Sequence, residues 1–323
     1  MDNVKDVDAA LLRWSERFNE RQTARVTARS LTGLPIKRTS RSRAASPNDV
    51  RRQLRGIVQK RPQVMVRISG GGRGMLPIRA HLNYISRNGQ LPVENQEGER
   101  YLGQGDVQYL SDEWQVGGFP IGDNSTRREA YNIILSMPAG TDAHALHRAA
   151  CAFAKNEFDG HQYAMVLHTF DNDPSHAPSE NPHVHLCVKA RSAKGIPFNP
   201  RKGDLRRWRE QFAERLREHG VEAEATSRLA RFQSRRGLRQ AEYHMKKRDS
   251  TFDDNVSAMP SMESLPAGRN AEKNMLKSYS DLAHMLAKST QGDDRQLGIA
   301  LVNVAARSNT RSIDIENSPD LER

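Results

Sequence analysis

The chain has 323 residues, of which 36% are hydrophobic, 28% charged and only 6% aromatic, and its formal net charge is +11. This is long enough for one or two domains with their own cores, but lean for a chain folded along its whole length. No apolar run approaches the roughly 18 residues of a spanning helix, and the opening MDNVKDVDAALLRW lacks the basic-then-apolar order of a signal peptide, so a cytoplasmic protein without stable membrane insertion is expected.

The charge is unevenly spread. Residues 1–60 carry 14 Lys or Arg against 6 acids, residues 192–248 carry 16 against 7, and residues 249–323 carry 8 against 12. Two basic regions therefore flank a nearly neutral centre, and an acidic region follows. A basic balance favours a polyanionic partner such as nucleic acid, although basic proteins that bind none also exist. Cys151 and Cys187 supply no disulfide framework and no CxxC site, and each sits beside apolar residues, as buried filler does.

In chain order, DAALLRWSERFNERQTARVTARSL has the character of a basic helix, and TGLPIKRTSRSRAASPNDV reads as a mobile Gly, Pro and Ser-containing stretch. A compact domain is expected to start near Gln63, with QVMVRIS as a short strand and GGGRG as a turn without the spacing of a nucleotide-binding loop. In LPIRAHLNYISRNG, Ile78, Leu82 and Ile85 recur at helical spacing and Tyr84 lies beside that stripe. The segment from Gln90 to Arg127 is glycine-rich and reads as irregular, anchored by Trp114. YNIILSMPAG reads as a buried strand, and DAHALHRAACAFAKNEF as a helix capped by Thr141 or Asp142. QYAMVLHTF and PHVHLCVKA are two further strands, joined by the polar DNDPSHAPSEN. DLRRWREQFAERLREHG is an amphipathic helix with Leu205, Trp208, Phe212 and Leu216 on one face. The order predicts an α+β fold with a central antiparallel sheet and flanking helices, rather than a doubly wound sheet.

Strand residues two apart face the same way, so His183 and His185 can present nitrogens to one ion about 2 Å from each, and a hairpin partner would bring His168 alongside. The plainer alternative is a solvated strand face with His168 at a strand end. Against it stands the acid-rich segment between the strands, with Asp171, Asp173 and Glu180, because ligating histidines are commonly oriented by carboxylates. His176 lies in the same segment and reads as exposed.

Taken together, QVMVRISGGG, HLNYISRNG, YNIILSMPAGTD, VLHTF with NPHVHLCVKA, and EHGVEAEATSRLARFQSRRGLRQAEY resemble the relaxase and mobilization nuclease family, especially its T-DNA border endonuclease branch. The resemblance covers roughly residues 62–245. It implies an HUH-type relaxase fold over residues 62–248, with residues 1–61 as a basic N-terminal extension and residues 249–323 as an acidic C-terminal region used in secretion or partner binding. It also implies Tyr84 as nucleophile, His168, His183 and His185 as ligands of one divalent ion, Mg²⁺ or Mn²⁺, and a role for Asp171, Asp173 or Glu180 in proton transfer or in orienting the histidines. The sequence departs from the family's short turn into HPHxH: here HTFDNDPSHAPSENPHVH is longer, with Asn181 before Pro182.

An ordinary phenol is only about 0.1% ionised at neutral pH, so a tyrosine nucleophile needs a proton acceptor and a charge-stabilising cation. The implied activity is strand-specific nicking and rejoining of DNA at a transfer origin through a 5′-phosphotyrosine adduct. Single-stranded origin DNA, an accessory DNA-binding protein and a type IV coupling protein are the implied partners, with export attached to DNA. Phosphates are expected to meet Arg67, Arg87, Arg201, Lys202, Arg206, Arg231, Arg235 and Arg236, and bases to stack on Tyr101, Tyr109 or Trp114. The competing readings are a rolling-circle replication initiator, a non-catalytic nucleic-acid adaptor and an ordinary metal-dependent hydrolase.

Overall fold

The computed structural model describes residues 2–23, 45–231 and 266–316. In chain order the elements are α1 (Asp2–Thr23), α2 (Pro47–Val58), β1 (Met65–Gly70), α3 (Met75–Ile85), β2 (Val93–Asn95), β3 (Arg100–Tyr101), α4 (Gln104–Val116), β4 (Ala130–Ser136), α5 (Ala143–Glu157), β5 (Tyr163–His168), β6 (His183–Lys189), α6 (Lys202–Glu218), α7 (Pro266–Ala287) and α8 (Gly292–Glu316). Two compact units result, one spanning Arg61–Ala225 and the other built from residues that precede and follow it in sequence. No helix is long and apolar enough to cross a membrane among the described residues.

The first unit is a mixed α+β fold. Its six strands form one sheet in the order β1-β4-β6-β5-β2-β3, and every pairing is antiparallel. Strand alternation divides the side chains between two faces. Ile133, Met165, Leu186 and Val188 join Phe153 of α5 and Trp208, Phe212 and Leu216 of α6 in one core. Ala130, Ala164, Val166 and Cys187 join Ile78 and Leu82 of α3 and Leu110 and Trp114 of α4 in the other. The apolar stripe of α6 is the one expected, and Asp142 is the residue that caps α5, accepting from the His144 amide at 2.9 Å.

The Gln90–Arg127 segment is more regular than its composition suggests. It contains β2, β3 and α4, whose Val107, Leu110 and Trp114 recur at helical spacing and are all buried. Flanking glycines mask that period in the sequence. The GGGRG turn is a close-packing device: a Cβ on Gly71 would lie 2.2 Å from the Ala130 carbonyl, and one on Gly74, whose φ is +100°, 2.2 Å from the Asp123 carbonyl.

The second unit is helical. SPNDV starts α2, where Ser46 and Asp49 form a reciprocal cap and Pro47 sits in the first turn. Val7, Leu11 and Trp14 of α1, Leu54 and Ile57 of α2, and Tyr279 and Leu286 of α7 share one core with Leu297 and Leu301 of α8. The N-terminal extension and the C-terminal region thus meet as helices. Within the unit, Arg51 bridges the buried Asp294 at 2.8 and 3.0 Å and also reaches Asp8 at 2.8 Å.

Candidate metal and nucleophile site

The antiparallel register sets His168 directly opposite His183, and His185 follows two residues along β6 on the same sheet face. Their ring centroids are 5.1, 4.7 and 5.0 Å apart, and one ligand atom from each lies within 4.8 Å of the others. His168 and His185 are buried and His183 is half-buried. Burial is the first cause that lowers the pKa of all three; His185, also facing the other two rings, is pushed down to about 2. At neutral pH they are neutral imidazoles with lone pairs to give.

Each ring is oriented differently. His183 directs Nδ1 at the Asn181 carbonyl, 2.9 Å away, leaving Nε2 for another partner. His168 places Nδ1 3.1 Å from Asp173 Oδ2 and Nε2 2.7 Å from the Ile85 carbonyl. A neutral ring has one N–H, so with Nδ1–H on Asp173 the ligating nitrogen is Nε2, which then gives up Ile85. Buried Nδ1 of His185 has no hydrogen-bond partner among the described residues. An unsatisfied buried nitrogen on a ring packed beside two other imidazoles suits a divalent cation, so the donor set fits a metal.

Asp173 is buried and held by Arg87 through two hydrogen bonds of 2.7 and 2.8 Å. Arg87 foremost, with the Ser175 amide and His168, keeps its carboxyl well below the usual carboxylate range despite burial. Arg87 also donates to the Tyr84 carbonyl at 2.8 Å, and its guanidinium carbon lies 4.9 Å from the Tyr84 ring centroid. Arg87 and Asn88 both have left-handed φ values, 52° and 55°, in the turn that ends α3, and that turn is tied to the triad through Arg87 to Asp173 and through the Ile85 carbonyl beside His168.

Tyr84 projects from α3 beside, not within, the buried stripe of Ile78, Leu82 and Ile85, and it is 61% exposed. Its ring centroid is 6.4 Å from that of His185. His81, three residues earlier on the same helix, stacks on it at 6.3 Å with an interplanar angle of 25°. Burial pushes His81 down to about 4, and its Nε2 has no hydrogen-bond partner among the described residues. Sequence reading passed over His81, although its i, i+3 relation to Tyr84 was the available signal.

The remaining expected site residues fall in several places. Asp171, Glu180 and His176 are exposed on the β5–β6 loop, while Asp173 alone of the three acids contacts a histidine of the triad. Arg67 is exposed, in register with Ile134 and His185, on the triad's face. Arg201, Lys202 and Arg206 belong to the start of α6, which covers the opposite face. Arg231 lies in the helical unit, and Arg235 and Arg236 lie outside the described residues. Of the stacking candidates, Trp114 and Tyr101 are buried, whereas Tyr109 is 66% exposed.

Residues 102–221 match the family model described as "Relaxase: MobA/VirD2-like, nuclease domain", a span that holds the three histidines and Asp173 but not Tyr84. The T-DNA border endonuclease VirD2 of Rhizobium radiobacter is 29% identical over 219 residues, covering 60% of this chain and 51% of that protein. The T-DNA border endonuclease VirD2 of Agrobacterium fabrum strain C58 is 27% identical over 232 residues, covering 66% of this chain and 50% of its own. The chain spans about half the length of these curated relatives. With its antiparallel sheet and histidine triad, the chain carries a relaxase/mobilization nuclease domain related to the VirD2-like T-DNA border endonucleases.

Proposed function

We propose that this protein nicks and rejoins one DNA strand at the transfer origin of a plasmid or integrative element, with Tyr84 as nucleophile, and so starts conjugative transfer. The observation that carries the reading is the exposed Tyr84 ring 6.4 Å from His185, on the face that gathers three neutral imidazoles. His168, His183 and His185 would hold the ion, and Mg²⁺ or Mn²⁺ bound there supplies Lewis-acid polarisation of the non-bridging phosphate oxygens. Asp173 acts as a positioning residue: tied to Arg87, it fixes the His168 tautomer and is a poor proton acceptor.

Exposure lets a phosphodiester reach the Tyr84 hydroxyl without opening the fold. Its oxygen forms the new bond to phosphorus, the 3′ oxygen leaves with its electron pair, and a 5′-phosphotyrosine remains. The phenolic proton passes to a base in the reaction complex or to solvent. Because the new phosphodiester is close in energy to the one it replaces, a 3′ hydroxyl can reverse the step and rejoin the strand. Arg67, exposed on the triad's face, is the side chain best placed to meet an adjacent phosphate. In this reading the partners are single-stranded origin DNA, an accessory DNA-binding protein and a type IV coupling protein, and the nuclease leaves the cytoplasm attached to its DNA.

The test is incubation with labelled single-stranded origin DNA and Mg²⁺ or Mn²⁺, followed by a denaturing gel. A covalent adduct is expected from the native protein, and Tyr84→Phe should abolish it while leaving DNA binding within a few fold. Peptide mapping that places the nucleotide on Tyr101, Tyr109 or another residue would overturn the assignment.

A further inference from the structure

A second group of metal-ligating side chains lies on the other face of the sheet. Glu94 of β2 stands opposite Met165, a residue of the α5–α6 core, and so points away from the triad. There it meets His147 and Cys151, which are four residues apart on α5 and therefore share one helix face. Cys151 Sγ lies 3.4 Å from Glu94 Oε1 and 3.8 Å from His147 Nε2, and His147 Nε2 lies 3.5 Å from Glu94 Oε2. All three residues are half-buried.

Zinc takes thiolate sulfur at about 2.3 Å and imidazole nitrogen or carboxylate oxygen at about 2.0–2.2 Å, so tetrahedral ligands stand about 3.3–3.6 Å apart. The three separations seen here fall close to that range, the thiol and the imidazole each meeting a different oxygen of the Glu94 carboxylate, and one ligand atom from each residue lies within 4.8 Å of the others. From this geometry we propose that Glu94, His147 and Cys151 form a second cation site for a thiophilic divalent ion, zinc before all others, with solvent completing the coordination. Coordination replaces the Cys151 S–H by thiolate and sends that proton to solvent. Arg100, whose Nε lies 3.5 Å from Glu94 Oε2, opposes the ion, but its side chain is 69% exposed and can swing into water. A bound ion would pin β2 to α5. It would also hold soft metals apart from the all-imidazole triad, whose role in nicking calls for a harder ion with open positions.

Cobalt distinguishes the two sites because only this one offers sulfur. Metal-free full-length protein titrated with Co²⁺ should develop a thiolate-to-cobalt charge-transfer band at one equivalent, and His185→Ala should keep it. Cys151→Ser should lose the band, and His147→Ala should weaken cobalt binding at least about tenfold. In parallel, zinc should slow alkylation of Cys151 in the native protein, read by peptide mass spectrometry; this arm needs no folded variant. Absence of the band at saturating cobalt, its survival in Cys151→Ser, or alkylation of Cys151 unaffected by zinc would each show that the cluster is only a thiol–carboxylate hydrogen bond beside a histidine.

Discussion

Replacing Asp173 by Ala should damage both the stability of the nuclease unit and its hold on a metal. The carboxylate is 4% exposed and Arg87 19%, and the two make a pair of hydrogen bonds of 2.7 and 2.8 Å. Removing one member of a buried ion pair costs about 3–5 kcal/mol, chiefly because the other charge stays buried without its partner. Arg87 retains the Tyr84 carbonyl and some solvent, so the lower end, about 3 kcal/mol, is expected. That corresponds to a fall of roughly 6–12 °C in the melting temperature of a unit this size. Loss of the His168 partner should weaken Mn²⁺ binding by about 10–100-fold. Urea unfolding of native protein, Asp173→Ala, Arg87→Met and the double variant gives the coupling directly, and calorimetric Mn²⁺ titration gives the affinity. A coupling energy under about 0.5 kcal/mol, together with unchanged Mn²⁺ affinity, would refute the claim that this pair orders the site.

Three further outcomes follow from other parts of the molecule. His183→Ala and His185→Ala should each lower Mn²⁺ affinity and nicking rate about tenfold or more, whereas unchanged affinity and rate in both would make the histidines ordinary strand surface. Gly74→Ala should cost about 2 kcal/mol or more, because a side chain there needs an unfavourable backbone and meets the Asp123 carbonyl at 2.2 Å; a urea midpoint equal to the native one would contradict the close packing. In the helical unit, burial alone would raise the Asp294 carboxyl, but Arg51, with Ser289, outweighs it and holds the pKa below its ordinary value. Its stabilising contribution is therefore present above the unfolded carboxylate pKa, about 3.9, and is lost as the pH falls through the lower folded value. Asp294→Asn should flatten that acid-side loss in thermal melts taken between pH 2 and 6, and an identical acid profile would count against the pair.

The α+β composition of the nuclease unit was legible because its elements are strongly periodic: the stripe Leu205, Trp208, Phe212 and Leu216 makes a helix in almost any context, and alternation along HVHLCVK makes a strand, which the helices on both sheet faces then bury. The same alternation put His183 and His185 on one face before any tertiary contact was known. Sequence did not reveal α4, where glycines on both sides obscured a short period, or α2, whose Ser46 and Asp49 cap lies in a stretch that reads as a linker. Tertiary structure alone decided which loop acid turns toward the histidines, because Asp171, Asp173 and Glu180 are chemically alike and only Asp173 meets both Arg87 and His168. It also decided that His81 stacks on Tyr84 and that Glu94 meets His147 and, 57 residues away in the chain, Cys151. Local periodicity fixes which way a side chain points, whereas the partner it finds depends on strand order and helix packing, which no single segment encodes.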